Sequence, residues 1–169
     1  ALVDTLETLT ITEGTQLYFH EGASLFVKGS LHVNGTIDNP ISFQGDRLEP
    51  FYDDKPGQWG AYTILDNGAT YVFGGIHFLR GSFNNYINYA IIKNANQGIQ
   101  VDSAINDEPA LEISNTIISH INLSGIYAQN SRIKGYNLVI NNCGAHAIAL
   151  TLGGWYEFYH TTIANYTPY

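Results

Sequence analysis

The chain has 169 residues, enough for one domain, and its 44% hydrophobic content supplies a core and excludes a disordered chain. Lys and Arg number 7 against 15 Asp and Glu; the formal charge of −8 argues against binding to a phosphate backbone, which needs clustered cations, so nucleic acid is not an expected partner. No apolar run is long enough to span a bilayer as a helix, so no transmembrane segment is expected in this chain. The chain opens at Ala1 without Met or a signal-peptide core, as a processed or truncated chain would.

From the N-terminus, strand signals dominate. Leu9 to Ile11, Leu17 to Phe19, Ser24 to Val27, Leu31 to Val33 and Ile41 to Phe43 are short β-prone runs punctuated by Gly14, Gly22, Gly29 and Gly35. Laying Leu9–Phe19 on Leu31–Phe43 places Leu9 on Leu31, Gly14 on Gly35 and Phe19 on Phe43. Two stretches then break the rhythm. Residues 44–59 (QGDRLEPFYDDKPGQW) are polar, charged and Pro-containing; residues 60–83 are rich in Gly and aromatics and align with nothing else. Both are predicted to be loop excursions, and loops on a rigid scaffold are where binding groups are usually displayed.

Beyond them a repeat emerges. INYAIIKN (87–94), ISNTIISH (113–120), GYNLVINN (135–142) and FYHTTIAN (158–165) are versions of one segment, with Ile92, Ile118, Ile140 and Ile163 spaced by 26, 22 and 23 residues. Units of this length and composition predict a solenoid coil. A second strand follows in each unit at Gly98 to Val101, Gly125 to Ala128 and Ala147 to Leu150, and a third at Ala110 to Ile113, Arg132–Ile133 and Tyr156 to Phe158. Three strands per coil predict a roughly triangular parallel β-helix. Stacking at ~4.8 Å turns the four isoleucines into an interior ladder. Asn94, His120, Asn142 and Asn165 then fall at a corner, where Asn suits a left-handed backbone. The expectation is a single all-β domain over 1–169, with an incomplete, uncapped final coil at 155–169; it predicts a segment of a longer protein, or a partner covering that end.

With these residues in view, LTITEGTQLYFHEGASLFVKGSLHVNGTIDNPISFQGDRLEPFYDDKPGQW followed by INYAIIKN resembles the right-handed parallel β-helix envelope proteins of Bacteroidetes, which are often surface lipoproteins. The resemblance covers most of the chain and is most specific over Phe43–Trp59, while residues 60–83 are longer than the usual pattern. The resemblance implies export to the cell envelope and placement at the outer-membrane surface, with a lipid anchor on a region before Ala1. It carries over no catalytic set. The triplets Asp4-Thr5-Leu6 and Asp102-Ser103-Ala104 are similar to the short O-glycosylation signal of such exported proteins.

The chemistry concentrates in the acidic loop. Asp46, Glu49, Asp53 and Asp54 beside Arg47 and Lys55 offer hard oxygen ligands for Ca²⁺ or an acid/base pair, without EF-hand spacing; a solvated, internally paired lid over the coil is the favoured reading. If the chain is an enzyme, a polysaccharide lyase or glycoside hydrolase, Asp53 and Asp54 are the candidates for acid/base or metal roles and Arg47 for a substrate clamp. No Asp or Glu pair recurs at one ladder position, and Lys93, Asp102, Asp107, Glu108, Glu112, Arg132, Lys134 and Glu157 fall at mostly different ones. The six histidines match no metal-ligand spacing, so no metal site and no obligatory cofactor are expected, and Cys143 reads as a buried filler. Aromatics are the better binding signal: Phe51, Tyr52 and Trp59 around the loop, with Trp155 and Tyr156 later. The reading this supports is a non-catalytic scaffold or binding module whose partner is an outer-membrane or surface protein, or a polysaccharide.

Overall fold

The computed structural model of the chain describes residues 1–103 and 108–165. Among the described residues the strands form three parallel ladders of six rungs, the three faces of a β-solenoid. The first ladder stacks Thr8–Thr12, Ser30–Asn34, Asn85–Asn88 and residues 111–114, 133–136 and 156–159. The second stacks Gln16–Phe19, Ile41–Gly45, Ala90–Lys93, residues 116–121 and 138–143, and Thr162–Ala164. The third stacks Leu2–Val3, Leu25–Val27, Ile76–Phe78, Ile99–Val101 and residues 124–129 and 146–151. In the later coils one long strand turns corners without breaking, as Ser124–Cys143 does in supplying all three faces. Among the described residues no helix is long and apolar enough to cross a membrane.

The anchor residues stack as the repeat predicts. Leu17, Phe43, Ile92, Ile118, Ile140 and Ile163 form one continuous inward column of the second ladder. Each fully buried isoleucine removed from water contributes about 1.5–3 kcal/mol, so the columns supply most of the cohesion between coils. Corners are made by left-handed residues: Asn94, His120 and Asn142 (φ 66°, 53° and 51°) between the second and third faces, and Tyr89, Asn115, Asn137 and His160 (φ 50° to 54°) between the first and second. A single αL residue redirects the strand without a loop, and among residues with a Cβ Asn bears that conformation most readily. The amides also bond along the stack: Asn137 Nδ2 donates to Asn115 Oδ1 and Asn115 Nδ2 to Asn88 Oδ1, each at 2.8 Å.

Two sequence expectations need correction. Leu17, not Phe19, pairs with Phe43, and Phe19 lies opposite Gly45; both candidates point inward two residues apart, so the pattern alone cannot choose. The second excursion does not run to residue 83, because Ile76–Phe78 is a rung of the third ladder, and Gln44 and Gly45 likewise end a strand rather than open a loop. Residues 155–159 and 162–164 supply the last described rungs of the first and second ladders. Residues 166–169 of the expected final coil, Asp107, and Ala104 of the second glycosylation triplet lie outside the described residues.

Neighbouring residues test the inward and outward assignment. Ile118 is fully buried, whereas Ile117 is 40% exposed on the outer face. Ile118→Ala is expected to cost about 2–5 kcal/mol and Ile117→Ala under about 1 kcal/mol in urea unfolding followed by circular dichroism. Equal losses would overturn the register.

Candidate functional site

Residues 46–58 leave the solenoid after Ile41–Gly45. Pro50 starts a 3-10 turn at Pro50–Tyr52 that holds the rings of Phe51 and Tyr52 edge to face, with centroids 5.1 Å apart. The segment is fastened back onto the coils. Asn94, held left-handed at its corner and 2% exposed, donates from Nδ2 to the carbonyls of Asp53 and Lys55, both at 2.9 Å. Gln58 Nε2 donates to the carbonyls of Lys55 at 2.9 Å and of Tyr52. Lys93 donates to the Asp53 carboxylate, and Asp54 Oδ1 lies 3.6 Å from His120 Nε2 one coil further on. Ion pairs this exposed contribute little, so the buried Asn94 amide is the main fastening.

The charges of this segment are consumed internally or by the coils. Arg47 pairs with Glu49 at 3.2 Å and lies 3.8 Å over the Tyr52 ring; Lys55 lies 4.8 Å over Phe51; His20 Nδ1 is 2.7 Å from Asp46 Oδ2. The hydrogen bond from Lys93 holds the Asp53 carboxyl below the usual carboxylate range. Between this segment and the first coil is an open pocket of about 360 Å³ with Arg47, Phe51, Tyr52 and Lys55 in its lining.

This geometry sorts the expected site residues. Phe51 is 70% exposed and Tyr52 half-buried, both at the pocket. Trp59 is not a surface residue. The chain returns to the solenoid there, pairing with Ala95; the indole is fully buried, stacks on Phe19 at 4.3 Å, and donates from Nε1 to the Lys93 carbonyl at 2.8 Å. A ligand therefore cannot touch it. Gly75 is the space the indole occupies, since a Cβ there would lie 2.6 Å from the ring. Trp155 and Tyr156 belong to the sixth coil, opposite Arg132 and Ile133 on the first ladder. Trp155 is 40% exposed, but Tyr156 packs on the core, its hydroxyl accepting from the Ser131 amide at 3.3 Å and donating to the Gly153 carbonyl at 2.9 Å. The Tyr156 ring is thus a core element. Asp53, Asp54 and Arg47 each face a different partner and do not converge on one point. Among the described residues, no three of His, Cys, Asp and Glu gather to hold a metal ion.

Two groupings escaped the sequence reading. Residues 61–75, which include the hairpin of Tyr62–Ile64 and Thr70–Val72, lie against the third face. Beneath them His77, 2% exposed and flanked by the rings of Phe26 and Phe73, meets Asp102 Oδ2 through Nε2 at 2.9 Å. Asp102 Oδ1 accepts from Gln100, whose Oε1 in turn accepts from the Gly74 amide. Burial pushes the Asp102 carboxyl up, yet the hydrogen bonds from His77 and Gln100 bring it below its ordinary value. His77 and Asp102 lie 25 residues apart, close to one coil period, which is the signal that links them. The second grouping is a cavity of about 350 Å³ at the corner between the third and first faces, lined by residues 82–86, 108–110 and 112.

The fastening predicts a pH response. A carboxyl lowered on folding stabilises the attached state above its unfolded pKa, and that contribution is lost as pH falls through the lower folded value. Protection of the amides of residues 53–58, taken as exchange relative to the intrinsic rate at each pH, is therefore expected to fall by a small amount on acidification below about pH 4, and Lys93→Ala to abolish that Asp53 component. Cys143, 3% exposed and with its thiol pushed up to about 11 by burial, is expected to resist thiol reagents at neutral pH until the chain unfolds. Labelling at a rate independent of denaturant would contradict its burial. Comparison of the chain with protein-family models, curated proteins and solved structures finds no match.

Proposed function

We propose that the protein is a non-catalytic β-solenoid binding module of an exported bacterial cell-envelope protein, recognising a surface protein or a glycan through residues 46–58. The observation that supports this reading is the mounting of Phe51 and Tyr52. An irregular segment is bonded to buried Asn94, so its aromatic tip is displayed with little conformational freedom left to lose on binding. Aromatic side chains on such a mount are the usual anchors of protein interfaces and also stack on sugar rings. The resemblance to Bacteroidetes envelope proteins supports the location at the outer membrane, with a lipid anchor preceding Ala1. The enzymatic alternative, a polysaccharide lyase or hydrolase, is disfavoured because Asp53, Asp54 and Arg47 are each engaged by a separate partner.

Pull-down from native Bacteroidetes outer membranes, with a glycan array in parallel, is the direct test. Phe51→Ala with Tyr52→Ala is expected to weaken the captured interaction about tenfold or more while leaving the unfolding midpoint nearly unchanged. Retention of every protein and glycan interaction in that variant would sink the assignment to this segment.

A further inference from the structure

The cavity between residues 82–86 and 108–112 lies on a different face from the Phe51 pocket, and its construction points to a ligand of its own. Its floor is Asn85, 2% exposed, which occupies the inward position that Leu31 and Leu111 fill on adjacent rungs. Asn85 Oδ1 accepts from the Leu31 amide at 2.8 Å, and Nδ2 donates to Ser82 Oγ and to the Ala110 carbonyl, each at 2.8 Å. An amide in an apolar column is expensive unless every bond is made, and here those bonds tie three segments into one rigid base.

The walls are aromatic. The Tyr86 ring stacks on His32 with centroids 4.3 Å apart and planes 20° apart, and its hydroxyl accepts from Asn34 Nδ2 at 3.3 Å. Phe83, 42% exposed, stands at the rim. Beside these rings are two carboxylates, Glu108 and Glu112, the latter on the rung directly next to Tyr86. Asp46, Glu49, Asp53, Asp54 and Asp102 all have partners; Glu108 and Glu112 have no hydrogen bond or ion pair among the described residues. Lys134, the backbone partner of Glu112 on the far side, makes no salt bridge with it.

We propose that this cavity binds an organic cation: a protonated amine carried on a sugar ring or an alkyl chain. Two unspent carboxylates attract the ammonium group, and the electron-rich faces of Tyr86 and Phe83 accept its apolar body and share its charge. Among the described residues that line the cavity there is no Lys or Arg to compete, and the net charge of −8 draws cations toward the protein. A volume of about 350 Å³ suits a ligand of one or two sugar rings or a short polyamine.

The test is an NMR titration of the ¹⁵N-labelled chain at neutral pH and low salt with glucosamine, N-acetylglucosamine and spermidine. Glucosamine, spermidine or both should shift the amides of residues 82–86 and 111–113, whereas N-acetylglucosamine, which keeps the ring and loses the charge, should not. Binding of glucosamine alone makes the body a sugar ring, and binding of spermidine alone makes it an alkyl chain. Glu108→Gln with Glu112→Gln should weaken the interaction about tenfold or more, and Phe83→Ala should weaken it without touching either carboxylate. All three are exposed residues, so an unchanged spectrum elsewhere verifies the fold. Equal binding of the acetylated sugar, full affinity in the double Gln variant, or no binding of either amine would overturn the proposal.

Discussion

The solenoid depends on one constraint: each of its strands finds its backbone partners in the coils before and after it, not in the neighbouring strand of its own coil. A solenoid strand is therefore satisfied only if the chain returns to the same height, in register, after about one coil of travel. That requirement selects the side chains. Inward positions must be apolar and similar in size from coil to coil, which gives the column from Leu17 to Ile163. Where one rung carries a bulkier side chain its neighbour yields, as Gly135 does beneath Phe158; a Cβ on that glycine would lie 2.5 Å from the ring. Corners must bend within one residue, which is why Asn and His recur there with positive φ.

The same constraint explains how the two excursions are tolerated. Between Gly45 and Ile76 the chain leaves the stack twice, yet it touches down once in between, at Trp59. That contact is a corner position, and the indole fills the space that Phe19 below and Gly75 beside it leave open. With Trp59 in place the two segments are separately tethered: one lies beside the second and third coils, held by Asn94, and the other covers His77 and Gln100. Insertions in a solenoid are cheap when the coil on either side keeps its register, because the loop-closure cost grows only slowly with length.

How much of this the sequence discloses follows from where the period is regular. Ile92, Ile118, Ile140 and Ile163 are legible because the same segment recurs around each of them at close to one coil length, and the same holds for Ile99, Ile126 and Ile148. In the first two coils the turn at Thr36–Asn39 changes the offset from 22 to 26 residues, and with Leu17 and Phe19 both facing inward the pattern has no means of choosing between them. Ile76–Phe78 is hidden because the two excursions place it 51 residues after its partner Leu25–Val27, about twice a coil period, so no coil-length spacing links it to the coils before it. For the candidate sites the limit is of another kind. Aromatic residues near a Pro-Gly turn, such as Trp59, read the same whether they rivet a loop or display it, and which carboxylates are paired depends on cross-coil contacts, such as Asp53 with Lys93, separated by 40 residues.

That last distinction carries the functional argument. Composition alone directs attention to the densest run of carboxylates, residues 46–54, and the fold takes that density away from chemistry by giving each acid a partner. Glu108 and Glu112, by contrast, are without partners among the described residues, and they become neighbours of Tyr86 because Asn85 and Leu111 share a rung. In a solenoid, then, the residues that assemble a pocket are spaced by the coil length and not by proximity along the chain. A local motif search is blind to them, and a site is found by asking which outward groups on adjacent rungs remain unsatisfied once the stack has formed.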